Sequence, residues 1–252
     1  MLKRRIIPVQ LLLHGRLVKT RQFDAFRDVG DPISSSRVYN SQAADELIFL
    51  NIDRDVESVR PLAELMERVS EVCFMPLSVG GGIRSAEDAA FLIRNGADKI
   101  VVNSAAYDDP SVVAATADRF GRQAVVVAID VRREDQDFAL FSHCGRHRRE
   151  IGLAEHLAKM IELGAGEILI QSVDRDGTME GYDIDLIRTV RAQASVPVIA
   201  LGGSGNYEHL KAAFLEGNVS AVACGSLFNF SDSNPIRAKA FLSNYGLPFK
   251  VV

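Results

Sequence analysis

The stretch DELIFLNIDRD (45–55) returns 121 residues downstream as GEILIQSVDRD (166–176). At the same offset PLSVGGGIRSAED (76–88) returns as PVIALGGSGNYEH (197–209), Gly96 falls on Gly217, and Asn103-Ser104 falls on Cys224-Gly225. Chance supplies a matching glycine pair. It does not readily align two apolar runs, a DRD triplet and a glycine turn at one spacing. The apolar runs themselves number eight: IIPVQLL (6–12), LIFLNI (47–52), PLSV (76–79), KIVV (99–102), AVVVAID (124–130), EILIQSV (167–173), PVIAL (197–201) and SAVAC (220–224). Val and Ile dominate them without polar alternation, the pattern of strands buried on both faces of a parallel sheet. Helix-period segments lie between: VESVRPLAELMERVSEV (56–72), SAEDAAFLIRNG (85–96), GLAEHLAKMIELG (152–164) and NYEHLKAAFLEG (206–217). Ser85 with Asp88 reads as a capping box, and Gly96, Gly164 and Gly217 sit where helix C-termini end. The expected architecture is α/β: one closed (β/α)8 TIM barrel over 1–252, a two-fold repeat of halves at about 1–122 and 123–252. An open doubly wound sheet is the competitor, and eight evenly spaced units favour closure.

The composition excludes several function classes. Charged residues make up 25% and apolar residues 47%, with a net charge of −4, so no basic surface for nucleic acid is expected. No run approaches the roughly 20 apolar residues of a membrane span. MLKRRIIPVQLLLHG at the start is interrupted by Pro8 and Gln10 and reads as a buried strand, not a targeting segment. Three scattered cysteines, Cys73, Cys144 and Cys224, fit a reducing, cytoplasmic setting and neither a disulfide framework nor a zinc site. The five histidines are dispersed and read as surface residues; no metal and no cofactor are expected.

In this fold the working face lies at the C-terminal strand ends. Gly80-Gly81-Gly82 and Gly202-Gly203 fall there, each followed one strand later by small residues: Asn103-Ser104, then Cys224-Gly225-Ser226. These are either tight turns alone or places where backbone N–H groups approach a phosphate. Their duplication favours two phosphate sites facing each other, and so a small-molecule substrate phosphorylated at both ends. Asp130 closes AVVVAID, where burial would raise its pKa and suit it to acid–base work. Asp176, with Gly177 in DRDGT, lies in the loop after the sixth run, where Asp-Gly is also ordinary turn chemistry. Lys19 falls in the loop after the first run and could reach an anion. A second set of charges, Arg5, Glu46, Lys99 and Glu167, immediately precedes the first, second, fourth and sixth runs. Pointing inward they would have to pair, either as a plug of the barrel bottom or as a gate on an axial passage.

With these residues placed, the chain resembles the cyclase subunit of imidazole glycerol phosphate synthase over almost its whole length. The resemblance rests on RRIIPV (4–9), GRLVKTRQF (15–23), SVGGGIRSAEDA (78–89), GADKIVVNSAA (96–106), VVVAID (125–130), LGAGEILIQSVDRDGTMEGYDIDL (163–186) and VPVIALGGSGN (196–206). It implies a lyase-type cyclisation. A separate glutaminase subunit docks at the barrel bottom, and its ammonia crosses the barrel to a ribulosyl substrate carrying two phosphates. The products are an imidazole ring for histidine synthesis and an aminoimidazole carboxamide ribotide. It implies an ammonia gate at Arg5, Glu46, Lys99 and Glu167, partner contacts at Asp98 and Gln123, catalytic roles for Asp130, Lys19 and Asp176, and a substrate role for Asn103. The expected phosphate ligands are Gly81, Gly82, Asn103, Ser104, Gly177, Gly202, Gly203, Cys224, Gly225 and Ser226.

The departures cluster at the top face and in the lumen. The family pairs two aspartates as acid and base, and the counterpart of Asp130 is here Leu11. Val9, Asn51 and Gln171 stand where the family carries cysteine, aspartate and threonine. That pattern, with IIPV (6–9), GDPI (30–33), CFMPLS (73–78) and VPVIALGG (196–203), resembles a divergent branch associated with glycosyl amidation, although Asn51 departs from that branch as well, which keeps aspartate there. The branch implies ammonia delivery to a sugar amidotransferase making surface-polysaccharide (lipopolysaccharide) precursors. This is the leading expectation. The alternatives are an active cyclase of histidine biosynthesis and a noncatalytic barrel that activates its glutaminase.

Overall fold

The computed structural model describes residues 3–53, 56–135 and 137–250. Among these, twelve strands and ten α-helices follow one another as β1 (Arg5–Leu13), β2 (Arg16–Arg21), β3 (Asp24–Gly30), α1 (Pro32–Ser41), β4 (Leu47–Asn51), α2 (Arg60–Ser70), β5 (Leu77–Gly80), α3 (Ala86–Arg94), β6 (Lys99–Val102), α4 (Ser104–Asp108) and α5 (Ser111–Phe120). The chain continues through β7 (Val125–Glu134), β8 (Asp137–Ser142), β9 (His147–Arg149), α6 (Leu153–Glu162), β10 (Glu167–Ser172), α7 (Ile184–Arg191), β11 (Val198–Leu201), α8 (Tyr207–Leu215), β12 (Ala221–Cys224), α9 (Ser226–Phe230) and α10 (Pro235–Ser243). Eight of the strands, β1, β4, β5, β6, β7, β10, β11 and β12, pair in parallel in that order, and β12 returns to β1 through Arg5↔Ala221. The barrel is closed, as expected. All eight apolar runs of the sequence are its staves.

Two long strands leave the barrel at its top. β1 turns back into β2 (Leu11↔Val18), which pairs with β3, and β7 turns back into β8 (Asp130↔Phe141), which pairs with β9. Lys19, expected in a loop after the first run, is thus on a strand, although RLVKTR and DAFRDVG carry no apolar run. Cross-strand hydrogen bonding to an already formed β1 overrides that weak local signal.

The capping box at Ser85 and Asp88 is present in both directions. Gly96 and Gly164 terminate their helices at φ +105° and +108°. Gly217 does not: the left-handed position after α8 is taken by Asn218 at φ 51°, asparagine being a side chain that tolerates it. One extra residue is therefore accommodated there. It shifts the correspondence of the two halves: α4 starts at Ser104 and α9 at Ser226, so Asn103 and Ser104 match Gly225 and Ser226, not Cys224 and Gly225. Asn103 and Gly225 share their backbone conformation, φ −119° with ψ −76° against φ −107° with ψ −79°.

Alternation along each stave sorts its side chains into two layers. Ile6, Leu47, Ile100, Val125, Ile168, Val198 and Val222 pack outward against the helices. Ile7, Val9, Ile48, Val101, Val126, Ala128, Leu169, Ile199, Leu201, Ala221 and Ala223 fill the lumen, with Leu11 and Leu50 packed on them.

Candidate active site at the barrel mouth and a charged ring at its base

The same parity sets the ends of the lumen. Two residues before Ile7, Ile48, Val101 and Leu169 come Arg5, Glu46, Lys99 and Glu167, so all four face inward. They close on one another: Arg5 Nη1 lies 2.7 Å from Glu46 Oε2 and Arg5 Nη2 2.6 Å from Glu167 Oε2. Lys99 Nζ lies 2.9 Å from Glu46 Oε2 and 2.8 Å from Glu167 Oε1. Ser78, on β5, donates its hydroxyl to the other oxygen of Glu46. Glu46 and Glu167 are both buried. Burial alone would raise the Glu167 pKa, but Arg5 and Lys99 outweigh it and hold the carboxyl below its usual range. Burial likewise works against the Arg5 cation, and Glu167 and Glu46 overcome it. Two cations and two anions thus cancel in a ring at the base of an apolar lumen. Asp98 and Gln123 lie exposed at the same end; Asp98 Oδ2 accepts from Leu77 N at 2.8 Å, and Gln123 Nε2 donates to Phe120 O at 2.9 Å.

At the other end β7 carries Val126, Ala128 and then Asp130 on the lumen face, beside Gln171 of β10. Asp130 is 7% exposed, and no hydrogen bond from a described residue reaches its carboxylate. Burial, and secondarily the charge of Asp176, pushes its pKa up to about 7. Leu11 faces the mouth opposite, paired with Val18 and Leu50 and in contact with the lumen residues. It offers no proton.

Lys19 is not the solvated loop lysine its sequence context suggested. It lies on β2, is 5% exposed, and donates Nζ to the carbonyl of Val9. Burial lowers its pKa to about 8, against the opposite pull of Asp176. Asp176 is held by Thr20 Oγ1 at 2.6 Å and by Phe23 N at 3.3 Å, yet burial still raises its pKa. Burial therefore outweighs mutual attraction for both groups. Lys19, Asp176, Gly177, Gly202, Gly203, Gly225 and Ser226 line one cleft with Thr20, Gln171, Ser204 and Leu11. A Cβ on Gly225 would stand 3.2 Å from Lys19 Nζ, so glycine there is what lets the ammonium lie against the turn.

Cys224 does not join that cleft. Its parity on β12 points the thiol outward, where it is fully buried and 3.4 Å from the Tyr182 hydroxyl. Burial pushes the thiol pKa up to about 11 and keeps it neutral, packed away from the mouth.

In the first half Gly81 and Gly82 turn at φ +98° and +75° after β5. Asn103 donates Nδ2 to Ala128 O at 3.1 Å, leaving its buried Oδ1 without a partner, and Ser104 Oγ accepts from His143 N at 3.0 Å. The sequence reading missed the surroundings of this turn. His143 belongs to the β8–β9 turn, and His156, read as a surface residue, is 1% exposed and stacked on Tyr107 at 4.0 Å. The signal available was the helical spacing of Leu153, His156, Leu157 and Met160, the buried face of α6. Of the repeated DRD triplet, Arg54 and Asp55 lie outside the described residues. Among the described residues no cluster of His, Cys, Asp and Glu could hold a metal ion, and no helix is long and apolar enough to cross a membrane.

A closed (β/α)8 barrel with a titratable carboxylate and glycine turns at its mouth and a paired charge ring at its base is the class these features define. The chain belongs to the histidine biosynthesis protein family, which matches residues 5–233. It is 46% identical over 252 residues to the imidazole glycerol phosphate synthase subunit HisF of Hyphomonas neptunium, covering the whole of both chains. It is 45% identical over 253 residues to the HisF subunit of Caulobacter vibrioides, covering 100% of this chain and 97% of that one. With the HisF subunit of Chloroherpeton thalassium it shares 43% over 251 residues, again end to end. These comparisons give no support to the glycosyl-amidation branch, to a sugar amidotransferase partner or to polysaccharide synthesis. The histidine-biosynthesis alternative fits them better.

Proposed function

We propose that this protein is the cyclase subunit of an imidazole glycerol phosphate synthase. It takes ammonia from a separate glutaminase at the base of the barrel and uses it on a bis-phosphorylated ribulosyl substrate at the mouth. The observation that carries the reading is Asp130: a buried carboxyl at the top of the lumen, free of hydrogen bonds from described residues and poised near neutrality. Ring closure with ammonia requires a proton to be taken up and another to be given back. A group titrating at about 7 does both near neutral pH. Because Leu11 replaces the second acid, Asp130 carries both transfers, with the charge of Asp176 also acting on it.

The lumen below suits the nucleophile. Its lining of Ile7, Ile48, Val101, Val126, Leu169 and Ala221 favours neutral ammonia over ammonium, since burying an unpaired cation costs far more than burying a neutral amine. The ring of Arg5, Glu46, Lys99 and Glu167 is the proposed gate. Phe74, 82% exposed in the loop before β5, adds an unpartnered apolar contact at the face where Asp98 and Gln123 would meet the glutaminase. At the mouth, Gly81, Gly82, Asn103 and Ser104 would take one phosphate. Gly177, Gly202, Gly203, Gly225 and Ser226, with Lys19, would take the other. The test is ammonia-dependent loss of the bis-phosphorylated substrate by the purified chain. Binding without turnover, together with stimulation of a glutaminase that survives Asp130→Asn, would replace this reading by that of a noncatalytic activator.

A further inference from the structure

The turn between β8 and β9 brings a cluster to the first-half site that the proposed reaction does not yet use. Arg149 donates Nε to Ser142 Oγ at 2.7 Å and Nη2 to Asp108 Oδ1 at 2.6 Å. His143 places Nε2 3.3 Å from Asp108 Oδ2. Its Nδ1 faces Arg149 Nη2 at 3.3 Å and the Ser142 hydroxyl at 3.0 Å. A guanidinium only donates, so Nδ1 is the acceptor and the imidazole proton sits on Nε2, directed at Asp108. Burial, with His147 and Arg149, lowers the His143 pKa against the pull of Asp108. A guanidinium nitrogen and an imidazole N–H thus converge on the two oxygens of one carboxylate. This is a fork built to hold an oxyanion.

The fork is rigid on one side and open on the other. The Arg149 guanidinium lies 5.0 Å over the Tyr107 ring, which is stacked at an interplanar angle of 6° on buried His156. Asp108 is 47% exposed, so its carboxylate can leave for water at little cost. The fork is also tied to Ser104: the backbone N–H of His143 donates to the Ser104 hydroxyl, and Asp108 lies one helical turn further along α4.

We propose that Arg149 and His143 are additional ligands for a phosphate monoester held at Ser104, and that Asp108 is the internal competitor for the same fork. This rests on reading the Gly82, Asn103 and Ser104 turn as a phosphate site. A dianion displaces the single charge of Asp108, drawing the β8–β9 turn onto the ligand and making this half of the mouth selective for phosphate over carboxylate.

The test uses the full chain labelled with 15N and titrated with inorganic phosphate, following the His143 imidazole and the Ser104 amide. Both signals are expected to shift together. Asp108→Asn is expected to raise the affinity about tenfold, and Arg149→Gln to lower it about tenfold, the order of one charge-assisted hydrogen bond. Arg149→Lys, which keeps the charge without the fork, is expected to fall between. In the Arg149→Gln background Asp108→Asn should give no gain, because the competition no longer exists. A gain of equal size there would mean that Asp108 acts only through its charge and would overturn the proposal. A shift at Ser104 with none at His143 would also overturn it, while leaving the phosphate site in place. No shift at either would remove the phosphate reading of this turn.

Discussion

Replacing Asp130 by asparagine changes how stability responds to pH, and the size of the effect follows from burial. In the unfolded chain the carboxyl titrates at 3.8, and in the fold at about 7. Between those values folding is linked to uptake of a proton, so the contribution of this group to stability is full below 3.8 and is lost as pH rises through about 7. The whole window corresponds to about 4 kcal/mol, at 1.36 kcal/mol per pH unit. From pH 5 to pH 8 the wild-type chain should lose about 3 kcal/mol through this residue, and Asp130→Asn should lose none of it. No hydrogen bond from a described residue to the carboxylate is broken by the change. The variant should therefore match the wild type near pH 5 and exceed it at pH 8, a melting-temperature gain of about 10 °C for a chain this size. Urea denaturation at the two pH values, on both proteins, measures the difference directly. Parallel pH dependences would refute the argument that Asp130 is desolvated and poised near neutrality.

Other substitutions test the remaining parts. Lys99→Met leaves Glu46 and Glu167 sharing only Arg5; it should cost about 3 kcal/mol by chemical denaturation, with part recovered on adding Glu167→Gln. Gly225→Ala places a Cβ 3.2 Å from Lys19 Nζ. The lysine end yields, so stability should change little while phosphate affinity at the second-half turn falls about fivefold by calorimetric titration. Leu11→Asp sets a carboxylate against Leu50 and Val18; it should cost about 2 kcal/mol of stability yet raise ammonia-dependent turnover about 10²-fold by restoring a second acid–base group.

The staves were legible because Val- and Ile-rich runs buried on both faces need no context to be read. Their parity went unused: counting back by twos from Ile7, Ile48, Val101 and Leu169 puts Arg5, Glu46, Lys99 and Glu167 inside, a direction the sequence reading leaves open, and counting along β12 puts Cys224 outside, where a phosphate ligand was expected. What could not be read was set by long-range pairing. Lys19 looked solvated because RLVKTR has the composition of a loop, and only its pairing to β1 buries it. His143 and Arg149 sit in SHCGRHRRE (142–150), an ordinary polar turn by composition. Their value lies in contacts with Ser104 and Asp108, about 40 residues earlier. The one-residue slip was hidden because Gly217 satisfied the expected pattern, while the left-handed turn after α8 falls one position later, at Asn218.

In the proposed reading this barrel performs the cyclisation itself, with Asp130 moving the protons. Ammonium salt and the bis-phosphorylated ribulosyl substrate, given to the purified chain without any glutaminase, test it most directly. Substrate loss with formation of the imidazole product is expected, reduced about 10²-fold or more in Asp130→Asn. Substrate that binds and is not consumed, or turnover indifferent to Asp130→Asn, would contradict it.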